Sequence, residues 1–97
     1  MLTEDIKQDM KRAEESFESA ERNLKEDDIL TAANRTFVAC ENAVYTILKI
    51  KLGSSPLSRI RILTRLKEIS PAAKEAYDNS YDLRVQSDYG RKARILP

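Results

Sequence analysis

Two short segments hold the side chains with chemistry to offer. YDLRVQSDYG, residues 81–90, sets Arg84 ahead of Asp88 and Tyr89. AANRTFVACENAVYTIL, residues 32–48, keeps Arg35 and Asn42 in a run that is mostly apolar. A guanidinium is a permanent cation with a planar fork of donors, and it cannot move protons because its pKa exceeds about 12. A tyrosine hydroxyl, with an ordinary pKa of about 10, can anchor a hydrogen bond or act as a general acid, and is a poor base at neutral pH. Arg84 and Tyr89 are thus the candidates for catalytic work. The chain contains no His, so no imidazole is present to take and give protons near neutral pH.

Other polar groups have plainer readings. Asp27 and Asp28 form an acidic pair, but just ahead of an apolar run they read as a helix cap. Arg61 and Arg65 stand one turn apart and could touch phosphates, although a solvated helix face accounts for them. Cys40 is the only cysteine, which excludes an intrachain disulfide and fits a reducing compartment. With one Cys and no His there is no ligand set for zinc or iron, and no cofactor is expected.

The elements that must position these groups are helices. Ile6, Met10, Ala13, Phe17, Ala20 and Leu24 recur at spacings of four and three, which predicts a first helix over about residues 3–26, capped by Thr3. A second, over about 28–51, starts at Asp27 or Asp28 and ends at Gly53. It is apolar on most sides, and 100° per residue gathers Thr31, Arg35, Asn42, Thr46 and Lys49 into one polar seam. The seam reads either as the solvated face or as a site. A third helix, capped by Ser55 with Pro56 behind it, runs to about Ile69 with Ile60, Leu63, Leu66 and Ile69 inward. A fourth starts at Ser70-Pro71, turns Ala73, Ala76, Tyr77, Ser80 and Leu83 inward, and is stopped near Gly90. Arg84 falls beside that inner stripe, where it needs a carboxylate, a wet cleft or an anion.

Short connections between long helices predict an all-α, up-down antiparallel four-helix bundle over residues 1–90, with a short basic tail at 91–97. Ninety-seven residues allow one small core, and an apolar second helix in so short a chain predicts a homodimer. The formal net charge is +1, unevenly spread. Residues 1–30 carry 10 acidic and 5 basic side chains, while residues 31–70 carry 2 and 7. These two regions can satisfy each other or attract a charged partner. No stretch suits a membrane span and Met1 opens no signal-peptide pattern, so a cytoplasmic location is expected.

Arg35-x-Phe37-x-Ala39 on the second helix, followed by Arg84 and the ending Asp88-Tyr89-Gly90, resembles the HEPN superfamily of small α-helical domains. Members carry an R-x-Y/F-x-A helix and a later R-x(4–6)-H motif, and one subgroup ends that helix in R-x-x-A-D-Y. Here Tyr89 stands where the His is expected. The resemblance implies dimerisation across the central helices and a shared cleft for nucleotide or RNA, with Arg35, Arg84, Asp88 and Tyr89 at its motif positions; with Asn42 of the seam they are the candidate binding residues. It also implies a minimal nucleotidyltransferase partner, as in toxin–antitoxin pairs. Without the His it implies a non-catalytic or degenerate relative of RNA-cleaving members. The alternatives are a structural dimerisation or docking module, and a metal-independent RNase using Arg84 and Tyr89.

Overall fold

The computed structural model describes residues 3–56 and 58–95, with side chains as far as Asp88. It is all-α, with four helices: α1 (Glu4–Lys25), α2 (Ile29–Leu52), α3 (Arg59–Ile69) and α4 (Pro71–Ile95).

Local chemistry sets most boundaries. Thr3 Oγ1 accepts the Ile6 N–H at 3.3 Å and caps α1, and Asp28 Oδ1 accepts the Thr31 N–H at 3.2 Å and caps α2. Gly53 ends α2 at φ +82°, a conformation that side chains resist, and its N–H returns to the Lys49 carbonyl at 2.9 Å. Two boundaries differ from expectation. Helix α3 starts at Ser58, whose hydroxyl accepts the Arg61 N–H at 3.2 Å, while the Ser55 hydroxyl donates instead to the Pro56 carbonyl. Both serines could cap, and only the later one meets an N–H three residues on. Helix α4 does not stop at Gly90 but continues to Ile95. A glycine inside a helix costs only about 1 kcal/mol, and the helix-forming residues Arg91, Lys92, Ala93 and Arg94 follow it. The expected tail thus begins as helix, and Leu96 and Pro97 lie outside the described residues.

The helices form an elongated body of 51 × 25 × 20 Å. Helix α2 lies between α1 and α4, and α3 packs mainly on α4. Among the described residues α1 reaches neither α3 nor α4. Lys49 near the end of α2 meets Asp5 and Asp9 near the start of α1, and Leu30 near the start of α2 meets Ser87 late in α4. Both neighbours therefore run antiparallel to α2. Arg59 at the head of α3 pairs with Asp78 of α4, so α3 and α4 form a short antiparallel hairpin and α3 runs in the direction of α2. The connection after Gly53 carries the chain back, which replaces the strict alternation expected from short loops.

Phe37, Val44 and Leu48 of α2, Ile62 and Leu66 of α3 and Tyr77 of α4 make the core. Helix α3 thus turns Ile62 inward and leaves Ile60 exposed. On α4, Tyr77 and Ser80 are buried and Leu83 is exposed. On α1 the outcome is less expected. Ile6, Asp9 and Ala20 are buried, while Met10, Phe17 and Leu24 are 40%, 55% and 55% exposed. The buried line is shifted toward Asp9 by its bond to Lys49, and Ala13, Ser16 and Ala20 let α1 lie close on α2. No described helix is long and apolar enough to cross a membrane.

Candidate anion-binding residues on two sides of the central helix

The polar seam of α2 faces α1. Asn42 and Thr46 are buried, and Thr46 Oγ1 donates to the Asn42 carbonyl at 3.0 Å. The Asn42 amide donates to the Val38 carbonyl at 2.9 Å, which holds it in the wall of a shallow groove. Lys49 Nζ sits 2.6 Å from Asp9 Oδ2 and 2.7 Å from Asp5 Oδ2. Part of the charge contrast between residues 1–30 and residues 31–70 is therefore satisfied internally. Arg35 lies higher on the seam, exposed, and lines the same groove of about 330 Å³ with Asn42, Val38, Arg12, Arg22, Glu15 and two serines.

Arg84 is elsewhere. Its guanidinium carbon lies 5.0 Å from the centre of the Phe37 ring, on the side of α2 that meets α4. No ion pair to Arg84 occurs among the described residues, and α1, the expected source of a carboxylate, does not reach α4. The cation is half-buried and stacked on an aromatic face, an attraction of about 0.5–2 kcal/mol. Within one chain, then, Arg35 and Arg84 do not share a groove. Asp88 is exposed one turn beyond Arg84, and the Tyr89 side chain lies outside the described residues. Arg61 and Arg65 are exposed beside the α2–α3 connection, Arg65 at 3.5 Å from Glu68. Cys40 is a free, half-buried thiol. No cluster of His, Cys, Asp or Glu that could hold a metal occurs among the described residues.

Sequence reasoning missed a second cation on the aromatic cluster. Arg59 stacks on Tyr81 at 3.9 Å from the ring centre and pairs with Asp78 at 2.7 Å. Tyr77 and Tyr81 each lie within 6 Å of Phe37, so Arg59 and Arg84 both rest on this one three-ring group. The spacing of Tyr77, Tyr81 and Arg84 over two turns was the available signal. A hydrogen bond from Lys74, joined by the charge of Arg59, holds the Asp78 carboxyl below its ordinary value. Burial, then the charge of Glu41, raises the Tyr45 and Tyr77 hydroxyls above theirs.

These shifts fix the alkaline behaviour. Hydrogen bonds to Asp5 and Asp9 raise Lys49 above its ordinary 10.5, so its contribution is complete below that pH and is lost as pH rises through the folded value. Tyr45 and Tyr77 stay protonated in the folded chain at a pH where the unfolded chain has begun to lose those protons, which also favours unfolding above about pH 10. Urea midpoints should therefore fall from about pH 10 to 11.5, and fall again below about pH 4 as Asp78 is protonated. A midpoint flat across the alkaline range would contradict this packing.

With the geometry in place, the arrangement offers fixed cations for anions and no imidazole for proton transfer. No protein-family model, curated protein or solved structure matches the chain.

Proposed function

We propose that this chain is a HEPN-like helical domain that binds nucleotide or RNA without cleaving it and works as a homodimer beside a nucleotidyltransferase partner. The observation that carries the reading is Arg84, a guanidinium propped on Phe37 with no ion pair among the described residues. A cation in that setting suits a phosphate, and the missing imidazole removes the usual means of turning phosphate binding into strand cleavage. Arg35 and Asn42 lie apart from it, so the RNA contact rests on Arg84. The direct experiment is a mobility-shift titration with a single-stranded RNA oligonucleotide. The protein should retard the RNA at micromolar concentrations and leave it full-length. No retardation at tens of micromolar, or efficient cleavage, would overturn the reading.

A second reading, a dimerisation or docking module alone, draws on the exposed apolar rows. Met10, Phe17 and Leu24 follow one line of α1. Helical rotation puts this line, and the exposed Ile29, Ala43 and Ile50 of α2, on the side of the layer opposite the Arg35 groove. A second copy laid there would cover these side chains, and a stable pair needs roughly 800 Å² from each partner. Light scattering should give a dimer at tens of micromolar for the wild type and a monomer for Phe17→Glu. A wild-type monomer would remove the dimer from both readings.

A further inference from the structure

Helix α1 is the most acidic part of the chain, and its basic residues are nevertheless treated in two ways. Lys7 and Lys11 have carboxylates at 3.6 and 3.9 Å, and Lys49 of α2 has two on α1. Arg12 and Arg22 have no ion pair among the described residues, and neither has Arg35 of α2. All three line one groove between the helices. The helix register brings two of them together. Lys49 stands opposite Asp9, so one heptad further on Asn42 stands opposite Ser16, and one more brings Arg35 level with Asn23, next to Arg22. Arg22 and Arg35 thus line the groove from opposite helices, and two like charges on one groove favour an anion between them. Arg12 lies about 15 Å along α1 from Arg22, at the far end of the groove.

We propose that this groove is a binding site for a diphosphate group, carried by a nucleotide or free as pyrophosphate, held between Arg22 and Arg35. The ligand is small because Glu15, which Lys11 approaches at 3.9 Å, lines the groove itself and the outer face of α1 adds Glu14, Glu18 and Glu21, which together repel an extended polyanion. It is recognised by its phosphates, since no aromatic side chain lines the groove to stack on a base. The serine hydroxyls of Ser16 and Ser19 supply further donors. The site lies apart from Arg84 and stands or falls independently of RNA binding there.

The test is isothermal titration calorimetry of the full chain with pyrophosphate, ADP and adenosine. Pyrophosphate and ADP should bind and adenosine should not. Equal affinities mean that only the diphosphate is read, and an ADP preference makes the nucleotide the source. Arg22→Ala and Arg35→Ala should each weaken binding by about tenfold or more. Arg61→Ala, which removes an exposed cation from α3, should not, and circular dichroism checks that all three variants remain helical. Absence of pyrophosphate binding at millimolar concentration, or equal weakening by Arg61→Ala, would overturn the proposal.

Discussion

Lys49→Ala should cost about 3–5 kcal/mol of folding stability, a large share of what a chain this size possesses. The reason is Asp9 rather than Lys49 itself. Asp9 is a carboxylate at 4% exposure, and Lys49 at 2.6 Å is its charge partner on α2. Truncating the lysine leaves that charge buried between two helices with nothing to offset it. Asp5 shares the same ammonium from an exposed position, so Asp5→Ala should cost under about 1 kcal/mol. The double variant Asp9→Leu/Lys49→Met should recover most of the loss, because an apolar pair of similar volume avoids the desolvation altogether. Urea denaturation of these variants decides it. If Lys49→Ala and Asp5→Ala are equally mild, α1 is not docked on α2 through this pair.

The other large effect is a gain. Tyr89→His restores the Arg-x4-His spacing in one step, and positioned acid–base help is typically worth 10²–10⁴-fold. The variant should acquire metal-independent RNA cleavage with a pH optimum near the ordinary His value of about 6.5. Because α4 continues unbroken past residue 89, that position lies about 140° around the helix from Arg84. One copy therefore does not present both groups on one face, and the new activity should require a pair of subunits. It should disappear in Arg84→Ala and in the monomeric Phe17→Glu. A Tyr89→His variant that stays silent would mean that residue 89 and Arg84 never bracket one phosphate, and would favour the docking-module reading.

Helix number, type and most ends were legible because they depend on neighbours in sequence. Thr3, Asp28 and Gly53 act on N–H and C=O groups within one turn. Which face each helix buries was less legible, since it depends on a partner helix. Met10, Phe17 and Leu24 fit a core stripe by spacing, yet α1 has one neighbour and its contact line is set by Lys49 drawing in Asp9. The seam from Thr31 to Lys49 was correctly grouped by periodicity, while the choice between solvent and site missed a third option, a polar interface with α1. Gly90 shows the limit of a local stop signal when good helix formers follow. The separation of Arg35 from Arg84 is a tertiary fact. The angle that relates them passes through Phe37, which faces α4 while Arg35 faces α1.

RNA binding measured against salt concentration, for wild type and Arg84→Ala side by side, tests the central claim most directly. A guanidinium that contacts phosphate displaces about one counterion, so the variant should bind more weakly and its plot of log affinity against log salt should be shallower by about 0.7 for a single strand. Fluorescence anisotropy with a labelled oligonucleotide reads both quantities. Equal affinity and equal slope for the two proteins would contradict the assignment of Arg84 as the phosphate contact.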